Sequence, residues 1–162
     1  MKNLEQLAPD DLQQLENALP QIAILIAGAD GAIDHDEELW AEKVAHIRSF
    51  AGDKTLHDFY EQVDANFSIK FHDLQKLLPD DTAARQDVLS AALEKINPIL
   101  AKLDASTAYK LYHGFVTFAK SIAKSSGGFM GMGAISRDEK QWIGLPMLHK
   151  IVEPSDEPEA EV

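Results

Sequence analysis

The sequence contains no cysteine in its 162 residues. Disulfide-stapled secreted scaffolds, cysteine-ligated zinc or iron–sulfur centres and thiol catalysis all require that side chain, so each is excluded. Basic side chains are scarce as well: 15 Lys and Arg stand against 27 Asp and Glu, for a formal charge of −12. Phosphate backbones are held by clustered Lys and Arg, so the balance argues against nucleic acid as a partner. Long apolar runs are missing too. The longest, Leu19 to Ala29, is shorter than the roughly 20 residues that cross a bilayer. Met1-Lys2-Asn3-Leu4-Glu5 reaches acid at once, with no apolar signal core. The expectation is a cytoplasmic protein that is not itself transmembrane. What is present is ordinary for one folded domain, with 45% of residues hydrophobic.

The charge is unevenly spread. Residues 1–81 carry 17 acids and 6 bases, a net of −11, whereas residues 82–152 carry 5 acids and 9 bases, a net of +4. The last ten residues add five acids and no base, with Pro154 and Pro158 among them. So little apolar surface cannot offset the entropy of ordering. The chain therefore divides into a helical domain over 1–152 and a disordered acidic tail over 153–162.

Apolar residues recur at three- and four-residue spacing, and no sustained alternation marks a strand. The fold class is all-α, a single-domain bundle of about seven or eight helices. Asp10, Leu12, Leu15 and Leu19 predict a short opening helix, and Pro20 stands near the start of a second that runs to Ala29. Leu39, Trp40, Val44, Ile47 and Phe50 mark a helix from about Asp34, and Leu56, Phe59, Tyr60, Val63 and Phe67 form one stripe of the next, starting near Thr55. A helix through Val88, Leu93 and Ile96 should kink or end at Pro98. The helix that begins at Ser106 has stripes of Leu111, Phe115, Phe118, Ile122 and of Tyr112, Val116, Ala119, Ala123, which predict a place at the centre of the bundle. A last helix starts at Ser136 and carries Trp142, Ile143 and Leu145, with a bend at Pro146.

One segment repeats at an offset of 102 residues. Gly31-Ala32-Ile33-Asp34-His35-Asp36-Glu37-Glu38-Leu39-Trp40 matches Gly133-Ala134-Ile135-Ser136-Arg137-Asp138-Glu139-Lys140-Gln141-Trp142 at six of ten positions. Each copy follows an apolar helical stretch and opens another helix, which predicts two pseudo-repeated helix-turn-helix units. Asp34-x-x-Glu37 and Ser136-x-x-Glu139 are both capping boxes, a sufficient local reason for the motif. The first copy holds more acid than capping uses: Asp30, Asp34, Asp36, Glu37 and Glu38 are five carboxylates within nine residues. Asp30-Gly31-x-Ile33-x-x-x-Glu37 also reproduces the second half of a calcium-binding EF-hand loop. Its first half falls on Ile26 and Gly28, which have no side-chain oxygen. Weak binding of Ca2+ or another divalent cation by Asp30, Asp34, Glu37 and Glu38 is expected, completed by water, backbone carbonyls or acids from elsewhere. The second copy has Met132 and Ser136 in place of Asp30 and Asp34, so no metal is expected there.

The apolar helix, Ala29-Asp30-Gly31, five residues and Glu37, then a long helical middle and Ser126-Gly127-Gly128-Phe129-Met130-Gly131 leading into Ile135-Ser136-Arg137-Asp138-Glu139-Lys140, together resemble the TerB family of tellurite-resistance proteins. The resemblance spans about residues 10–150, and its specific motif is the Asp-Gly-x5-Glu turn. It implies an all-α bundle of pseudo-duplicated units, no established catalysis, acidic residues involved in divalent-metal binding, and a bacterial stress and tellurite response with membrane-associated protein partners. The motif lands on Asp30, Gly31 and Glu37; Asp34 and Glu38 join by proximity.

Two other classes compete. A metal-independent interaction domain, similar to the domain at the front of some membrane-anchored J-domain co-chaperones, would use the turn only as a cap. Its contact would be the glycine-flanked apolar tip Phe129-Met130. A metal-dependent phosphohydrolase is suggested by the pairs His57-Asp58 and His72-Asp73, with His35, His46 and Asp87 as nominal further ligands. His57 falls off the apolar stripe, on a solvated face. Lys110, His113, Lys120 and Lys124 form one basic stretch that would complement the acidic first half within one molecule or across a dimer. The oligomeric state is left open.

Overall fold

A computed structural model describes residues 1–29, 33, 35–51, 54–126 and 140–155, with backbone alone at 35–37, 47–51, 125 and 126. Among the described residues it is all-helical, with helices α1 (Pro9–Ala27), α2 (His35–Ala51), α3 (His57–Leu77), α4 (Thr82–Glu94), α5 (Asn97–Lys102) and α6 (Ala105–Ser126). Single 3-10 turns at Leu4–Gln6 and Lys54–Leu56 precede α1 and α3.

Helix α1 is continuous where two helices are expected. Pro20 sits inside it and is buried. A mid-helix proline removes one ladder hydrogen bond at a cost of about 3 kcal/mol. Full burial of one Leu or Ile side chain returns about 1.5–3 kcal/mol. Leu15 and Leu19 before Pro20 and Ile22, Ile24 and Ile26 after it are all at 0% exposure, so breaking the helix there would forfeit more than the proline costs. The second half of α1 is almost wholly buried, so α1 shares the centre of the bundle with α6. Helix α1 packs on α2, α3, α4 and α6, while α6 packs on α1 and α2 and reaches α3 through Phe118.

The two stripes read most clearly from periodicity face the core. Leu56, Phe59, Tyr60, Val63 and Phe67 are all buried, and Phe71 extends the row by one turn. Leu111, Phe115, Phe118 and Ile122 of α6 are at 0% exposure. Phe67 stacks on Phe71 with ring centroids 5.9 Å apart and meets Phe118 edge-on at 6.4 Å. Helix α2 differs from its sequence pattern: Ala41, Val44 and Ala45 are buried, whereas Leu39 and Trp40 stand outward. The Trp40 indole N–H donates to the Ser121 carbonyl at 3.2 Å, and this ties α2 to α6 through the outer edge of the ring.

Polar side chains set the ends. Asn3 and Gln6 form a reciprocal capping box. Asp81 accepts from the Ala84 N–H at 2.8 Å to start α4. Helix α4 ends at Glu94 and α5 begins at Asn97, with Pro98 in its first turn, as its missing N–H favours. Helix α6 is capped by Asp104, which accepts from the Thr107 N–H at 2.9 Å and the Thr107 hydroxyl at 2.8 Å. These bonds hold the Asp104 carboxyl below its ordinary value, the backbone N–H of Thr107 contributing most.

After the last helix, Leu145 is a turn residue and not part of a helical face. It adopts φ 50°, a left-handed conformation that costs a side-chain-bearing residue about 1–2 kcal/mol. Its complete burial and the hydrogen bond from its N–H to the Trp142 carbonyl at 2.8 Å hold it there. Buried Asn97 clamps the segment that follows: its amide donates to the Met147 carbonyl and its oxygen accepts from the His149 N–H, both at 2.9 Å.

Candidate functional site

The candidate turn joins α1 to α2. Its leading edge is Gly28, whose carbonyl accepts a hydrogen bond from Arg85 Nη2 at 2.8 Å. Asp81 starts α4 and thereby places Arg85 in the first turn of that helix, half-buried against the end of α1. A guanidinium there meets the negative end of the α1 dipole and an orphan carbonyl at once. The approach is close enough to require glycine. A Cβ at Gly28 would lie 2.7 Å from the Ile24 carbonyl oxygen, 3.0 Å from Arg85 Nη2 and 3.3 Å from Ile33 Cγ1. Ile33 is half-buried against the core.

Of the four carboxylates singled out for metal, Glu38 has a described side chain. It is only 16% exposed and pairs with His72 Nε2 of α3. Glu38 is thus a tie between α2 and α3. His46 Nδ1 and Asp64 Oδ2 form a second such tie at 2.9 Å. The side chains of Asp30, Asp34 and Glu37 lie outside the described residues, as do Phe129, Met130 and the Ser136 cap of the second copy. With Glu38 paired and the Gly28 carbonyl held by Arg85, a cation at this turn would draw on Asp30, Asp34 and Glu37, backbone oxygens beyond Gly28, and water.

The two His-Asp pairs of the hydrolase reading do not converge. His57 and His72 are fifteen residues apart on α3, about 22 Å along a helix, too far to share one ion. His57 stands with Asp58 and Glu61 in a group whose ligand atoms lie within 4.8 Å of one another, all exposed; His57 Nε2 is 3.5 Å from Glu61 Oε2. Lys102, which lies outside the basic stretch, pairs with Asp11 through Nζ and Oδ2 at 2.7 Å. No ion pair among the described residues engages Lys120 or Lys124.

A further feature escapes sequence reasoning. Leu4, Leu12 and Phe59 floor a cleft of about 370 Å3 that Glu5, Glu16 and Asp58 border. These residues come from the first 3-10 turn, α1 and α3, and no local motif unites them. Arg85 was equally silent, since its partner is a backbone carbonyl 57 residues away.

No family model, curated protein or solved structure matches the chain.

Proposed function

We propose that the chain is a TerB-like, non-enzymatic binding or regulatory module of the bacterial stress-response type, acting in the cytoplasm with protein partners. Its acidic turn binds a divalent cation weakly through Asp30, Asp34 and Glu37, and Glu38 braces the helix that follows. The observation that carries this reading is the Asp30-Gly31-x5-Glu37 turn, whose carboxylates outnumber what capping of α2 uses. The all-helical bundle of the described residues is consistent with it. The second helix-turn-helix unit, opened by Ser136, belongs to the same reading and brings the helix count to seven. No helix among the described residues is long and apolar enough to cross a membrane.

Calorimetric titration with Ca2+ and with Mn2+ tests the cation. Weak saturable heat that disappears in Asp30→Asn/Glu37→Gln supports it; binding unchanged by that pair contradicts it. The second reading is the metal-independent interaction domain, and the commitment of Glu38 to His72 and of the Gly28 carbonyl to Arg85 favours it, because each withdraws an oxygen from any ligand set at the turn. Under it, a partner captured through Phe129-Met130 stays bound in chelator and is lost in Phe129→Ser/Met130→Ser.

A further inference from the structure

Residues 141–155, which end the described chain, run as turns and irregular backbone with no helix of their own. Their attachment is narrow. Among the described residues, two hydrogen bonds join them to the rest of the bundle, and both belong to Asn97: its amide donates to the Met147 carbonyl and its oxygen accepts from the His149 N–H. The backbone bonds of Leu145 to Trp142 and of Leu148 to Leu145 are internal to the segment, and no ion pair among the described residues reaches it. Apolar contact supplies the rest, through buried Leu145 and Leu148 and half-buried Trp142, Ile143, Met147 and Ile151. Two features make the seated form unfavourable. Leu145 holds φ 50°, a conformation that residues with a side chain avoid. The Trp142 indole N–H is buried with no hydrogen-bond partner, and water would satisfy it once the segment lifts. Among the described residues, Leu145 is the one non-glycine at positive φ and Trp142 the one side chain with a buried unpartnered polar atom, and they lie three residues apart.

We propose that residues 141–152 form a strap that opens as a unit of its own, with Asn97 as its latch, while the bundle of α1 to α6 stays folded. Lifting the strap breaks the two Asn97 bonds, frees the Leu145 backbone and hydrates the Trp142 N–H. Part of the cost of uncovering Leu145 and Leu148 is therefore returned on opening. The open form presents these apolar side chains, and the surface they covered, to solvent beside the start of α5. One buried amide thus governs a reversible change of surface. Helix α1 is the contrast: Ile22, Ala23 and Ile24 are wholly buried, so their amides reach solvent through unfolding of the bundle itself.

Native-state hydrogen exchange of the full chain, read amide by amide across low urea, tests this. The Leu145, Leu148 and His149 amides should exchange through an opening at least tenfold more populated than the one that frees Ile22, Ala23 and Ile24. Its urea dependence should be weaker, because less surface is uncovered. Asn97→Ala should speed exchange of the strap amides about tenfold, since both latch bonds are lost. Gly28→Ala separates the two openings. Its added Cβ lies nearest to Ile24, Arg85 and Ile33, so it weakens the closed and strap-open forms alike. It should speed exchange in α1 about tenfold and leave the strap amides unchanged. Strap amides that exchange at the α1 rate with the α1 urea dependence, that follow Gly28→Ala by the same factor as α1, or that ignore Asn97→Ala overturn the proposal.

Discussion

At the C-terminal end of α1, Arg85 donates to the Gly28 carbonyl and Glu38 pairs with His72. Along the N-terminal half of the same helix, Asp11 pairs with Lys102 at 2.7 Å and Glu16 with Lys70 at 3.8 Å, beside an open cleft that Glu5 and Asp58 border. The first region spends its ionic groups on joining α1, α2, α3 and α4. The second ties α1 to α5 through Lys102 and to α3 through Lys70. The count of carboxylates is therefore a poor guide to a site. What each carboxylate already touches decides how much of it remains for a ligand.

This contrast can be broken by substitution. Arg85→Met should cost about 2 kcal/mol in urea unfolding, because a half-buried carbonyl loses a charged donor. A loss below about 0.5 kcal/mol would remove Arg85 from the account. Gly28→Ala should cost about 1–2 kcal/mol, since its Cβ must displace Ile24, Arg85 or Ile33. Asp104→Ala tests a carboxylate that is satisfied at the same end of the molecule as the cleft, and should cost about 1 kcal/mol near neutrality as a lost cap. Its folded-state value is lowered, so its contribution is fully present above the ordinary carboxylate value and is lost as pH falls through the folded one. The gap between wild type and Asp104→Ala should accordingly narrow in acid unfolding below about pH 4. Smallest of all, Glu5→Gln and Asp58→Asn should change stability by less than about 0.5 kcal/mol each, as exposed rim groups.

Much of the fold is legible in the sequence because it rests on period. The Phe59–Phe67 and Leu111–Ile122 stripes are strictly helical in spacing and both are buried. Pro20 misleads because a local penalty is visible in the sequence and the burial that outweighs it is not. Leu39 and Trp40 mislead in another way: small Ala41 and Ala45 face the core, and the larger side chains are left outside. Leu145 fails as a helical residue because its left-handed turn is imposed by packing. Of the candidate metal residues, Glu38 was visible as an acid, but its partner His72 lies 34 residues on and on another helix. The cleft had no signal at all, being assembled from three elements whose contacts are set by how α1 and α3 cross.

The most direct test of the difference between the two regions is an amide-resolved titration of the full chain with Ca2+. The account predicts weak, saturable shifts confined to residues 29–38, with Leu4, Glu5, Glu16 and Asp58 unmoved. Shifts centred on His57, Asp58 and Glu61, or the absence of any saturable shift over 29–38, would contradict it.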